Sequence, residues 1–489
     1  MLFNSHIFML LFLPLLLAGW YFLNWKKKFQ LAQGYLIGMS LWFYAYANLQ
    51  YLWLLLFSCL IGWLLSCLPE KISSEKGKKV LTGVGCVFHL GLLGYFKYSN
   101  FFLENLNTAF HTDFPMLQIL LPVGISFYTF QQLAYLIDRC RGDAPRDSFF
   151  DYLTFMVYFP QLLQGPILLR SEFMGQLKEP ERRRFHAERF SEGIQFFVFG
   201  LAKKVLLADT LAKAVNYGYS NVSMLDSISA LLLAAGYLTE LYFDFSGYCD
   251  MAVGLGKMIG LEVAENFDAP FHSASVKEFW RRWHMTLGRF FTRYVYIPLG
   301  GNRKGKMRTL CNVMIVMLLS GLWHGAAWTF VLWGFLHGVG MIWDNLEHPH
   351  LPKKWMRQAA TFAYVCMTFV FFRAESIAQG IDVLKSIVSL KWNGFVFQMA
   401  SALDLTEFYM ITKALSMKLP GLLSWFWLGI FVVLIAICFR VLSGKKVSGV
   451  VALQKQKGYG RLYPVLLAVL FTWSMISMTG VSEYLYFSF

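Results

Sequence analysis

Ten histidines occur among the 489 residues of the chain, and one of them, His324, stands in the stretch SGLWHGAAWTF, residues 320 to 330. That stretch lies within a run of 35 residues, Thr309 to Trp343, that contains no Asp, Glu, Lys or Arg. Imidazole is the side chain whose ordinary pKa lies near neutrality, so a histidine held there can take up a proton and return it during a reaction. His284, in FWRRWHMTLGRF, is a second candidate because it sits among arginines and tryptophans that could meet an anionic partner. His337 shares the uncharged run but has no bend beside it, and core packing is expected of it. His6, His89, His111, His186, His272, His348 and His350 fall near ends, in loops or on isolated helix faces, where nothing around them points to chemistry.

Two carboxylates, Asp244 and Asp250, interrupt the apolar YFDFSGYCDMAVGLGKMIG (residues 242 to 260). Ionisable groups at membrane depth are costly unless paired, so they are functional candidates or ion-paired struts. Pairing with a nearby arginine is the expected structural role, since six residues of separation put the two on different helix faces. Residues 277 to 308 hold nine Lys or Arg and one acid, Glu278. Arg281, Arg282, Arg289 and Arg293 recur there near helical spacing with Trp280, Trp283, Phe290, Phe291 and Tyr294 between them. Such an amphipath either lies against lipid headgroups or docks the phosphates of a cytoplasmic donor. No G-x-S-x-G, Walker loop or H-E-x-x-H motif occurs, so those hydrolase, ATPase and zinc-protease chemistries are unsupported.

The elements that must position these residues are membrane helices. The chain is 57% hydrophobic and only 15% charged, with mean hydropathy +0.48, against about 25% charge in an ordinary soluble domain. Apolar runs separated by basic clusters, without period-2 alternation, indicate an all-α polytopic protein and not a barrel. The net charge of +15 then belongs to cytoplasmic loops and anionic lipid; no nucleic-acid module accompanies it. Eight scattered cysteines with no C-x-x-C pair are read as packing residues.

Basic clusters orient the spans. Helix one, about 7 to 25, leads to Lys26, Lys27 and Lys28 and reads as a membrane helix entering from outside, not a cleaved signal. Segments 33 to 48 and 51 to 67 form a hairpin returning to Lys71, Lys76, Lys78 and Lys79. A helix over 80 to 96 crosses outward to a loop from Lys97 to Pro115, and one over 117 to 137 returns. Residues 151 to 169 have basic residues on both sides and carry Pro160, Gly165 and Pro166, so they are expected to enter and return on one face. The uncharged run poses the same problem. As one helix it would reach about 52 Å, against a hydrocarbon core of roughly 30 Å. It must bend, and Gly321 and Gly325 put the bend at His324. Later spans are expected over about 359 to 373, 422 to 439 and 463 to 479, with both termini outside.

Taken in order, LPVGISFYTFQQLAYLIDRCRGD (121 to 143), FPQLLQGPI (159 to 167), YFDFSGYCDMAVGLGKMIG, FWRRWHMTLGRFFTRYVYIPLGGNR and GLWHGAAWTFVLWGFLHG resemble the membrane-bound O-acyltransferases, and among them the alginate O-acetyltransferase branch. The N-terminal MLFNSHIFMLLFLPL and C-terminal EYLYFSF are similar as well, while LLQGP departs from an expected alanine-glycine-proline. The resemblance implies one membrane domain over 1–489, with core motifs within 117–345 and extra spans over about 359–480. Its fold would be about 10 to 13 membrane helices with re-entrant segments around a transmembrane tunnel. The family's essential histidine maps onto His324 and its second histidine onto His284. On that reading His324 is the general base and His284 positions or polarises the donor. Arg281 and Arg282 attract its phosphates, Asp244 or Tyr248 orients the site, and Trp283, Trp323 and Gln161 are further binding candidates. No metal or bound cofactor is implied. The resemblance further implies acetyl-CoA or an acylated carrier protein as donor, and as acceptor an exported or cell-wall polysaccharide reached through an extracytoplasmic esterase-like transferase. The location it implies is the bacterial cytoplasmic membrane, in contact with anionic lipids.

Three alternatives remain open at this level. Teichoic-acid D-alanyl transfer from a carrier protein uses the same fold, although the two additional C-terminal spans favour the acetyl branch. A proton-coupled transporter would also bury a histidine, but no internal hydropathy repeat is evident. A scaffold in a polysaccharide secretion complex is the third.

Overall fold

A computed structural model describes residues 1–346, 352–403, 405, 409–438, 446–458, 460, 462–478 and 485. His348, His350 and most of EYLYFSF lie outside the described residues. Every element of regular structure among the described residues is helical, as an apolar chain in lipid requires when its backbone groups must be satisfied within each segment. Among the described residues five helices are long and apolar enough to span: Phe8–Trp25, Leu49–Glu70, Glu75–Phe110, Ser227–Ile259 and Lys306–His324. Trp328–Trp343, Gly421–Ile437 and Leu462–Ser477 are shorter apolar helices. All eight cysteines are free thiols, and five of them are buried.

The chain divides into two compact units. The first comprises Met1–Val198, Tyr248–Glu265 and Arg289–Pro298. Its first helices, Leu13–Trp25, Phe29–Asn48 and Leu52–Cys67, follow the expected segments closely. Two expectations fail here. Lys97 does not open a loop: the helix beginning at Glu75 passes through a π turn, Gly94–Tyr98, and continues as Ser99–Phe110. The expected helix from 117 begins only at Ile125. Asn100 and Asn107 explain both. Their side-chain oxygens accept from the backbone N–H of Leu117 and Phe114, each at 2.9 Å, and their amide groups donate to the carbonyls of the same two residues, again at 2.9 Å. The apolar segment is thereby held extended against the lengthened helix. Gly124 then starts the next helix at φ +79°, and a Cβ there would run into the Leu162 carbonyl, so a glycine is needed.

Residues 151 to 169 do not form a span. Ser148 caps Phe149–Val157, accepting from the Asp151 N–H at 3.1 Å. Tyr158 breaks the helix, Phe159–Leu162 follows, and Gly165 turns against the Pro160 carbonyl. A nine-residue helix rises only about 14 Å, and residues 154 to 169 are buried throughout. The break expected from Pro160 and Gly165 is present.

The second unit comprises Phe199–Gly247, Asn266–Gly288 and Leu299–Phe489. Its centre is the hairpin Lys306–His324 and Trp328–Trp343. Gly321 faces Gly334, and Gly338 faces Met314 and Met317, so the two helices run antiparallel with backbones close together. A Cβ on Gly321 would strike the Phe330 carbonyl and come within 3.2 Å of the Gly334 Cα. Small residues permit this approach where lipid offers no hydrophobic drive for helix pairing.

Candidate functional site

His324 is the last residue of its helix. Gly325 is extended, Ala327 takes the N-cap of the next helix, and Trp328 opens it. The uncharged run therefore folds back at the position where its length and glycines require it to. A Cβ at Gly325 would overlap the Phe330 ring, which accounts for a glycine immediately after the histidine. The imidazole is buried, with aromatic edges against it. Trp323 lies 4.9 Å, Trp333 5.2 Å and Phe372 5.2 Å from its ring centre.

His284 comes to the same enclosure from a different element. The basic amphipath is not one helix: Val276–Arg282 ends, Trp283 and His284 form a break, and Met285–Phe291 begins after it. His284 has φ +47°, the left-handed region that costs a bulky residue about 1–3 kcal/mol. Its ring is buried, 4.7 Å from Phe245, 6.2 Å from Trp323 and 6.4 Å from His324. Asn266 anchors it: the Asn266 side-chain oxygen lies 3.2 Å from His284 Nδ1 and accepts from the Thr286 N–H and hydroxyl, each at 3.0 Å. The Met285 N–H donates to the Asn266 carbonyl at 2.9 Å. Burial pushes the His284 imidazole, which lies outside the spanning helices, down to about 3, so it is neutral at physiological pH.

His337 fills its expected structural role. The Trp280 indole N–H donates to its Nδ1 at 3.2 Å, and Thr368 Oγ1 lies 2.9 Å from its Nε2. Because an indole N–H can only donate, Nδ1 is the acceptor, and the ring's own proton sits on Nε2, directed at the Thr368 oxygen. Both ring nitrogens are committed to the fold.

The remaining candidates separate. Trp323 and Trp283 are buried beside the histidines, Trp283 stacking on Phe279 at 5.4 Å. Arg281 is exposed. Arg282 pairs with Glu278 at 2.8 Å and donates to the Asp268 carbonyl at 3.3 Å. Arg289 and Arg293, expected on the same basic face, belong to the first unit and hold its carboxylates: Arg289 binds Glu172, and Arg293 binds Asp138 and Asp143 at 3.0 and 2.9 Å. The picture of one continuous docking helix is therefore corrected.

Asp244 is an ion-paired strut, and its partner is Lys204 where an arginine was expected. Lys204 Nζ lies 2.6 Å from Asp244 and 2.8 Å from Asp209, and the Leu485 N–H donates to Asp244 at 3.1 Å. Tyr248 and Gln161 lie in the first unit. Tyr248 stacks on Phe3 at 4.7 Å. Gln161 donates to the Phe155 carbonyl, while its Oε1 finds no hydrogen-bond partner among the described residues.

Sequence reasoning missed Asn266, Thr286, Phe245, Trp333 and Phe372. Asn266 lies in an irregular segment where no periodicity marks it, and only the fold carries it to His284. Among the described residues no group of three or more His, Cys, Asp or Glu is arranged to hold a metal ion.

Known proteins match this architecture. The pattern of MBOAT, the membrane-bound O-acyltransferase family, matches residues 144–379, which include both site histidines. The peptidoglycan O-acetyltransferase of Helicobacter pylori is 35% identical over 80% of this chain and 80% of its own. The probable alginate O-acetylase AlgI of Azotobacter vinelandii is 40% identical over 77% of this chain and 76% of its own. The teichoic acid D-alanyltransferase of Bacillus subtilis is 28% identical over 52% of this chain and 69% of its own. With a buried histidine pair in an all-helical membrane fold and likeness of this extent, the chain belongs to the membrane-bound O-acyltransferase family and is a multi-pass membrane acyltransferase.

Proposed function

We propose that the protein transfers an acetyl group from cytoplasmic acetyl-CoA to a hydroxyl acceptor for O-acetylation of an exported or cell-wall polysaccharide, with His324 as general base. The carrying observation is His324 itself, at the turn between two apolar helices, with a second imidazole 6.4 Å away in the same aromatic enclosure. The acceptor O–H gives its proton to His324 as its oxygen attacks the thioester carbonyl. The C–S bond then breaks, and the imidazolium returns the proton to the departing thiolate. General-base assistance of this type contributes about 10² to 10⁴ in rate. Trp323, Trp333, Phe245 and Phe372 keep water from the thioester, while His284 helps to position the donor.

The donor approaches from the cytoplasmic side, where exposed Arg281 attracts its phosphates. The acyl group leaves toward the outer face of a bacterial cytoplasmic membrane, where an esterase-like transferase delivers it. Two relatives named for O-acetylation, each aligned over more than three-quarters of this chain, support acetyl over D-alanyl. Membranes containing the protein, given acetyl-labelled CoA, should label a polysaccharide acceptor. Labelling from a D-alanylated carrier protein, and none from acetyl-CoA, would overturn the proposal.

A further inference from the structure

We infer that Asn266 is a positioning residue that holds His284 as its Nδ1–H tautomer and so presents Nε2 as a proton acceptor in the site. The inference rests on the acyl-transfer reading for its consequence, and on hydrogen-bond chemistry for its geometry.

A backbone N–H can only donate. The Thr286 N–H points at the Asn266 side chain at 3.0 Å, so the atom it meets is the carboxamide oxygen, and the Thr286 hydroxyl donates to that same oxygen. An amide oxygen is an acceptor only. Its contact with His284 Nδ1 at 3.2 Å therefore requires that Nδ1 carry the proton. A neutral imidazole has one N–H, which leaves the lone pair on Nε2. His337 has the opposite assignment, with Nδ1 accepting from Trp280. One buried histidine is thus tied into the fold through both nitrogens, and the other is oriented through Nδ1.

The backbone is built around this orientation. His284 is held at φ +47°, and such strained residues persist only where their surroundings over-determine them, most often at functional sites. Hydrogen bonds on both flanks supply that constraint. The Asp268 N–H donates to the Arg282 carbonyl and the Met285 N–H to the Asn266 carbonyl, each at 2.9 Å. A histidine that only filled space beside Phe245 and Trp323 would need neither the strain nor the anchor.

The consequence is a division of roles. Neutral His284 receives a proton or a hydrogen bond from a substrate through Nε2, and it cannot polarise the thioester carbonyl by donating one. The expectation that it polarises the donor is replaced by a role as acceptor.

The test uses full-length protein in nanodiscs with 15N-labelled histidine. Long-range 1H–15N correlations report each tautomer, and His284 is assigned by the signal lost in His284→Gln. Wild type should show Nδ1–H at His284. Asn266→Ala should lose that preference and lower kcat by about 10²-fold or more with KM little changed. Asn266→Asp keeps the acceptor oxygens, so kcat should stay near wild type. Its carboxylate favours the protonated imidazole, so the acid limb of the pH–rate profile should move to higher pH. An Nε2–H tautomer in wild type, an unchanged kcat in Asn266→Ala, or an Asp variant as inactive as Ala overturns the inference. If Asn266→Ala does not accumulate, the wild-type tautomer and the Asp variant decide. Should acetyl-labelled CoA label no acceptor while wild-type His284 still shows Nδ1–H, the acyl-transfer reading falls and the tautomer assignment stands.

Discussion

His284 and His324 face each other with ring centres 6.4 Å apart, one at a left-handed break between two short helices and the other at the end of a spanning helix. Each placement depends on backbone features that can be tested separately from the chemistry.

The close approach of the hairpin helices should be sensitive to volume at Gly321. Gly321→Val forces a side chain onto the Phe330 carbonyl and the Gly334 Cα. Overpacking of this type costs about 1–3 kcal/mol, so the melting temperature in detergent should fall and activity with it. Gly83→Ala is the control: a Cβ there meets nothing within 4 Å, and alanine in place of glycine within a helix should be neutral or stabilising.

His337 should matter for stability and not for turnover. His337→Leu strands the half-buried Trp280 N–H, which costs about 1 kcal/mol. Glutamine can both accept and donate, so His337→Gln should recover part of that loss. Thermal melts check the stability, and kcat per folded molecule should be unchanged in both variants.

The Lys204–Asp244 pair should behave as a buried strut. Lys204→Met leaves Asp244 buried without its cation, a change that costs about 3–5 kcal/mol. Adding Asp244→Asn should restore part of the loss, because the uncompensated charge is then gone. A double-mutant cycle on melting free energies measures the coupling, and additive effects would remove the pair from this account.

Much of this arrangement could be read from residue types and lengths. The uncharged run was too long for one span, and its glycines placed the turn at His324, where the helix ends. Pro160 and Gly165 marked the broken segment for the same reason, since each is a strong local constraint. What escaped depended on partners distant in sequence. Asn100 and Asn107 hold residues 114 to 117 extended, against an apolar composition that suggested helix. Lys204 reaches Asp244 from a π turn that composition does not announce. Arg289 and Arg293 fell on the expected helical spacing of a docking face but bind carboxylates of the first unit, because the helix that would have aligned them breaks at His284. The left-handed backbone at His284 is not announced by residue type: histidine enters that region more often than most residues, yet the great majority of histidines do not.

The central claim is that His324 moves the proton during acyl transfer. The most direct measurement compares wild type and His324→Ala at equal membrane abundance and equal melting temperature, following transfer of labelled acetyl from acetyl-CoA to polysaccharide. His324→Ala should lose about 10² to 10⁴ in rate with the folded protein intact; transfer at the wild-type rate in the alanine variant would contradict a general-base role for His324.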